Sequence, residues 1–258
     1  MTRFMLYNIY DGGKKRLDNI AEVVRAERPD FLGMLEAATW NKGGPILKRF
    51  AAQVGLPFSH FVKSNTRYDL AFFCGSTPLR IKKFFKGFWH SAVLVELSVE
   101  SVGTIALVLL HLDPRQEAYR LNELERVRTI TARYTHVVLM GDFNSLSPHD
   151  PYDRVALMAL LRKRGIKKFG IQDLKFDCIE LIESFGFVDV MHALQKPFAS
   201  TVPTLMNTDA SHADHLRLDY IFISPSLRTY LTDAVILQTP STNIASDHYP
   251  LVADFTFA

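Results

Sequence analysis

Residues 136–148 read HVVLMGDFNSLSP. An apolar strand-like run passes straight into Gly141-Asp142-Phe143-Asn144 and then into serine and proline. Such a run is normally buried, and a carboxylate at its end is costly unless something pairs with it. The plain reading is a turn, because Asp and Asn side chains bond to the nearby backbone. The chemical reading is a site at the mouth of a core strand. Positions two apart on an extended segment point to one side, so Asp142 and Asn144 are expected to enter one cleft together.

Upstream of this stretch, Arg3 to Ile9 reads as a strand ended by Asp11-Gly12-Gly13. Leu17, Ile20, Val23 and Val24 recur at helical spacing until Pro29, and Phe31 to Leu35 forms a second strand. A helix is expected over 45–54, then strands near 58–62, 69–74, 80–85, 92–98 and 104–110. Asp113-Pro114 has the form of a helix start, with Leu121, Leu124, Val127 and Ile130 on one apolar face. Downstream, helices are expected near 151–164 and 173–185, then a long irregular stretch over 193–216. Strands near 218–223, 233–238 and 250–257 close the chain. Hairpin-like strand runs with few βαβ alternations point to an α/β fold of two packed sheets with helices outside, not a doubly wound sheet.

The chain has 258 residues, 48% of them hydrophobic and 22% charged, without a linker-like segment or a repeat. One domain over 1–258 is the simpler reading. A net charge of +3 suits a polyanionic substrate without specifying one. Cys74 and Cys178 provide no disulfide framework and fit a reducing compartment, with a single bridge left open. The N-terminal MTRFMLYNIYDGG lacks a secretory pattern, and the longest apolar stretch, Ile105 to Leu110, is strand-sized. A soluble, cytoplasmic protein is expected.

Six strands carry a polar residue at or just past one end. Asn8 follows FMLY, Glu36 follows FLGML and His111 follows IALVLL; Asp142 and Asn144 follow VVLM, Asp219 opens DYIFI, and Asp247-His248 precedes PLVADF. Each has a plain alternative. Asn8 fits a turn beside Asp11-Gly12, Glu36 a solvated strand end or a cap to the segment leading to Trp40, and His111 a satisfied strand-end histidine. Asp219 would pair with Arg217, and Asp247-His248 would be a surface loop. Taken together, these residues have the composition of a hydrolytic site built around a hard cation. Carboxylate and amide oxygens suit Mg²⁺ or Mn²⁺ rather than a zinc site of Cys and His. A histidine near working pH can contact a phosphate or move a proton.

The ordered set LYNIYDGG, PDFLGMLEA, LLHLD, GDFNSLSP, RLDYIFIS and SDHYPLVADF resembles the endonuclease/exonuclease/phosphatase family from residue 4 to residue 257. That family includes pancreatic-type deoxyribonucleases, abasic-site nucleases, deadenylases, neutral sphingomyelinases and inositol-polyphosphate 5-phosphatases. The resemblance implies a four-layer α/β sandwich with its cleft at one edge. It implies Glu36, helped by Asn8, as principal metal ligand, with Asp247 contributing. It implies Asp142 as the base that orients or deprotonates water, and Asn144 as holder of that water or a phosphate oxygen. His248 would contact the scissile phosphate with Asp219 fixing its tautomer, and His111 would be a second phosphate-contacting histidine.

Three departures bear on the substrate. His111 stands where abasic-site nucleases use tyrosine, MLEA replaces the commoner LQE, and YDLAFFCGSTPL lacks a frequent Ser-Arg/Lys pair. RIKKFFKGFWH at 80–90 interleaves basic and aromatic residues as a single-strand nucleic-acid surface would, though an amphipathic strand with solvated lysines is the plainer reading. LRKRGIKKFG at 161–170 would steer a polyanion or simply be a solvated helix end. His212 and His215 raise a second metal, with an exposed loop as the plainer reading. The expected activity is hydrolysis of a phosphodiester, in a nucleic acid or nucleotide first and a phospholipid or small phosphomonoester second. The rival, a non-catalytic module, should lack part of the constellation, and nothing is missing.

Overall fold

The computed structural model describes residues 1–40 and 45–257. The chain opens with β1 (Thr2–Asn8), α1 (Leu17–Glu27), β2 (Phe31–Leu35) and α2 (Pro45–Val54). There follow β3 (Phe58–Val62), β4 (Leu70–Cys74), β5 (Arg80–Phe84), β6 (Ser91–Val99) and β7 (Gly103–His111). After α3 (Glu117–Thr131) come β8 (His136–Asp142), α4 (Arg154–Lys163) and α5 (Asp177–Ser184). The last part holds β9 (Val188–Asp189), α6 (Val190–Ala193), β10 (Asp219–Ile223), β11 (Leu231–Ile236), α7 (Thr242–Ala245) and β12 (Leu251–Phe255).

The strands form two six-stranded sheets, β11-β12-β1-β2-β4-β3 and β5-β6-β7-β8-β10-β9. Each sheet is antiparallel except for one parallel pair, β1 with β2 and β7 with β8. Side chains alternate across each sheet. Phe4, Leu6, Leu107, Leu109, Val138 and Met140 meet between the sheets, whereas Met5 and Tyr7 face α1 and α2, and Val108 and Leu110 face α3 and α5. These strands are buried on both faces, which explains their unbroken apolar sequences. The result is the expected four-layer sandwich. At Gly33 the sheets come so close that a Cβ would stand 2.6 Å from Leu109 and from Met140.

Several expected boundaries shift. The helix expected from Asp113-Pro114 starts at Glu117, because Asp113 spends its side chain on the backbone N–H and guanidinium of Arg115. The helix expected over 151–164 begins at Arg154, where Asp153 accepts from the N–H groups of Val155 and Ala156. α5 is shorter than expected, and β9 with α6 stands at the edge of the stretch read as irregular. Cys74 and Cys178 are both buried and free. Among the described residues no helix is long and apolar enough to cross a membrane.

Candidate active site at the sheet edge

Strand register assembles the site. His111 on β7 pairs with Asp142 on β8, and Asp142 with Asp219 on β10, so three polar side chains lie abreast on neighbouring strands. In the other sheet Asn8 pairs with Leu35, which sets Glu36 one residue beyond. The connection into β12 brings Asp247 and His248 between the sheets' edges. There Ser246 Oγ donates to the Asn8 carbonyl (2.7 Å), and His248 Nδ1 stands 2.7 Å from Asp219 Oδ2. All eight expected residues therefore converge. Seven of them, Glu36 excepted, are only 1–4% exposed.

Asp142 and Asn144 arrive by a route the alternation argument did not give. Asn144 is left-handed (φ +51°), and its N–H donates to Asp142 Oδ1 (2.8 Å). The turn reading is correct, and the turn is what turns both side chains into the site. Asn144 Nδ2 also donates to the Leu112 carbonyl (2.9 Å), while Leu112 N–H donates to the Asp142 carbonyl (2.9 Å). Gly141 is required here by close approach. A Cβ would stand 2.1 Å from the Leu110 carbonyl oxygen on β7.

Glu36 is likewise left-handed (φ +60°) and fixed from both ends. Its carbonyl accepts the N–H groups of Gly12 and Ala38, and its carboxylate accepts the Asp11 N–H (3.1 Å) and the Asn8 amide (3.4 Å). Strain of this kind persists only where the surroundings over-determine it, and it concentrates at functional sites. Burial, and then the charge of Asp247, push the Glu36 carboxyl up to about 7. Burial raises Asp247 as well. These acids crowd one buried space, the arrangement a divalent cation would relieve.

The histidines divide into two kinds. Burial opposes the charging of His248, but Asp219, by charge and hydrogen bond, and then Asp247 and Asp142 lift it to about 10. His111 is held down to about 3 by burial, then by His248 and Lys168, so its 3.5 Å approach to Asp142 is a contact of a neutral ring. His90 stacks on His111, with centroids 4.2 Å apart, and donates to or accepts from Thr66 Oγ1 at 2.6 Å. Asp219 does not pair with Arg217. That guanidinium is buried against Asp150 (2.9 Å) and Asp189 (2.5 Å) and anchors the start of β10.

Two further residues reach the site from segments expected to be solvated. His212 is buried, its ring perpendicular to His248 at 5.0 Å, and one ligand atom each of His212, Asp247 and His248 lie within 4.8 Å of one another. Asp142, Asp219 and His248 form a second such group. His215 is exposed, as expected. Lys168, in the basic run after α4, is only 8% exposed, although Lys163, Arg164 and Lys167 around it follow the solvated reading or lie at the surface. Neither residue was separable in sequence from its exposed neighbours. The one local signal for Lys168 was the apolar Phe169 beside it.

Hard oxygen donors facing a carboxylate-oriented histidine define the class of this protein, a phosphoester hydrolase. The chain belongs to the Endonuclease/Exonuclease/phosphatase family, whose profile matches residues 5–248. No curated protein matches it. Among solved structures it is similar to an AP endonuclease from Archaeoglobus fulgidus, at 20% identity and TM-score 0.75, with 99% of each chain covered. It is also similar to a 3′ phosphatase from Neisseria bound to product DNA hairpin, at 18% identity and TM-score 0.71, covering 99% of this chain and 100% of that one. A third is a mannosyl-6-phosphatase from Bacteroides thetaiotaomicron, at 15% identity and TM-score 0.67, with both chains fully covered.

Proposed function

We propose that the protein is a divalent-metal-dependent phosphodiesterase acting on a nucleic acid or nucleotide by in-line attack of water. The observation that carries this is the abreast placement of His111, Asp142 and Asp219, with Asp219 bonded to His248. Asn8, Glu36 and Asp247 would hold Mg²⁺ or Mn²⁺, and the donor set fits such an ion because two of its carboxyls are raised by burial and, for Glu36, by its neighbour's charge. When bound, the ion supplies positive charge against the phosphate oxygens.

The side chains do the rest. Asp142 orients the attacking water and takes its proton. Asn144, with one amide hydrogen committed to Leu112, keeps its second hydrogen and its Oδ1 for water or a phosphate oxygen. Asp219 takes His248 Nδ1–H and thereby presents Nε2. Asn8 Oδ1 accepts the Tyr10 N–H, which fixes its amide so that Nδ2 stands 3.5 Å from His248 Nε2. In charged His248 both are donors, and an anionic oxygen between them satisfies both.

The nucleic-acid preference is supported beside His90. Trp89 is 39% exposed, and the Arg115 guanidinium lies 3.5 Å from the centroid of its ring and 4.6 Å from that of Tyr119. Stacked aromatics and arginine suit a nucleobase. The near-complete burial of the catalytic residues supports a second reading, a small or terminal phosphomonoester. A hydrolysis panel in Mg²⁺, Mn²⁺ and EDTA tests both, with bis-p-nitrophenyl phosphate, p-nitrophenyl phosphate, single- and double-stranded DNA, RNA and sphingomyelin. Activity that needs both metal and Glu36, and is lost in Glu36→Ala, supports the reading. Activity indifferent to Glu36 sinks it. The reducing, cytoplasmic setting proposed for the protein is supported by its two free buried cysteines.

A further inference from the structure

Lys168 is a mostly buried lysine whose ammonium has no counter-ion at ion-pair distance among the described residues. Its residue is 8% exposed and its Nζ lies 5.2 Å from the centroid of the Phe169 ring, but among the described residues that Nζ makes no hydrogen bond and no ion pair within 4.0 Å. Burying an unpaired charge is costly, so a chain that retains one normally holds a partner for it. Its backbone is nevertheless fixed firmly. Arg120, wholly buried and paired with Glu117, donates to the Lys168 carbonyl at 2.8 Å and to the Asp113 carbonyl at 3.0 Å. Phe169 packs with Leu146, just past the Gly-Asp-Phe-Asn turn, and with Leu218, just before Asp219. The backbone at Lys168 is thus anchored beside the two motif segments of the second sheet.

Its charge acts on the catalytic groups. Burial lowers Lys168, and Asp142, Asp209 and Asp219 work in the opposite direction. Lys168 in turn helps to suppress protonation of His111 and His212. The ammonium, on the connection between α4 and α5, therefore lies within electrostatic reach of Asp142 and Asp219.

We propose that Lys168 binds the substrate, engaging a free oxygen of the phosphoryl group. The nature of the anion rests on the phosphoesterase reading; the need for one rests on the lysine itself. A phosphate oxygen would give the ammonium the charge-assisted partner it lacks. Product orthophosphate would occupy the same place.

The test uses the Mn²⁺-loaded protein and orthophosphate as probe, with Lys168→Met and Lys168→Arg. Methionine keeps length and apolar packing and removes the charge. Without phosphate, Lys168→Met is expected to melt no lower than wild type, since replacing a lone buried charge with an apolar side chain is neutral or stabilising. Mn²⁺ affinity should be unchanged. Orthophosphate affinity by calorimetry should fall at least about tenfold in Lys168→Met, a loss of about 1.4 kcal/mol, and recover in part in Lys168→Arg. Orthophosphate should raise the melting temperature of wild type more than that of Lys168→Met. Unchanged phosphate affinity in Lys168→Met, or a lower melting point there with phosphate affinity intact, overturns the proposal. The outcomes for the two readings separate. Phosphate binding through Lys168 without any ester hydrolysis would uphold the lysine and sink the phosphoesterase. Ester hydrolysis equal in wild type and Lys168→Met would do the reverse.

Discussion

Glu36 combines a left-handed backbone with a carboxyl raised by burial and by Asp247 to about 7, from an ordinary value of 4.5. An acid raised in this way stabilises the folded protein fully below its unfolded pKa, and that contribution is lost as pH climbs through about 7. Glu36→Gln cannot ionise and escapes the loss. In EDTA, the variant should match wild type at about pH 4 and be the more stable protein above about pH 7.5, by on the order of 2 kcal/mol after partial solvent screening. Urea unfolding across that range checks it, and a stability difference that does not vary with pH would count against the assignment. Asp219 calls for a different substitution. Asp219→Asn keeps the shape but removes the charge that lifts His248. Turnover should drop about 10–100-fold, with little change in KM, as for other carboxylates that orient a histidine. The upper pH limb of the rate should move down. At this scale the sequence was readable wherever a polar residue interrupted an apolar strand, as at Asn8, His111 and Asp142. It was unreadable at His212 and Lys168, whose burial is decided by contacts with segments far away in the chain.

Strands carried the more reliable information. Their apolar runs are long because both faces are covered, and the polar residue that ends each run marks where the sheet meets the cleft. Helix starts were less secure, since an Asp can spend its side chain on a turn, as Asp113 does with Arg115, and Asp153 rather than Asp113 is the one that caps a helix. Register was beyond local reading. That Asp142 stands opposite both His111 and Asp219 follows from pairings between strands separated by tens of residues. β10 also depends on an ion-pair cluster that sequence hid, Arg217 with Asp150 and Asp189. Removing one member of a buried charge cluster leaves the others uncompensated, so Arg217→Ala should cost about 3–5 kcal/mol of stability. Denaturant titration of this variant beside Asp219→Asn would separate the two roles. Arg217→Ala should lower the midpoint strongly and Asp219→Asn only weakly. Equal effects would mean that Asp219 is structural.

The whole molecule places its two sets of chemical groups on different sheets. Asn8 and Glu36 end strands of the first, His111, Asp142 and Asp219 stand at the edge of the second, and Asp247 and His248 enter between them. A cation held by Glu36, Asn8 and Asp247 would therefore tie β1 and β2 to the segment leading into β12, at an edge where buried acids otherwise repel. Binding that occurs only to the folded state stabilises it by mass action, about 2.7 kcal/mol when free metal exceeds its dissociation constant a hundredfold. For a chain of this length that corresponds to a rise in melting temperature of about 5–10 °C. Mn²⁺ should produce this rise in wild type and leave Glu36→Gln almost unmoved. The rise should be larger at pH 8 than at pH 6, because Glu36 must release its proton to bind and its carboxyl titrates near 7. Differential scanning calorimetry at both pH values, with and without Mn²⁺, measures all three effects. A shift of equal size in Glu36→Gln would place the cation elsewhere, at the neighbouring His212, Asp247 and His248 group.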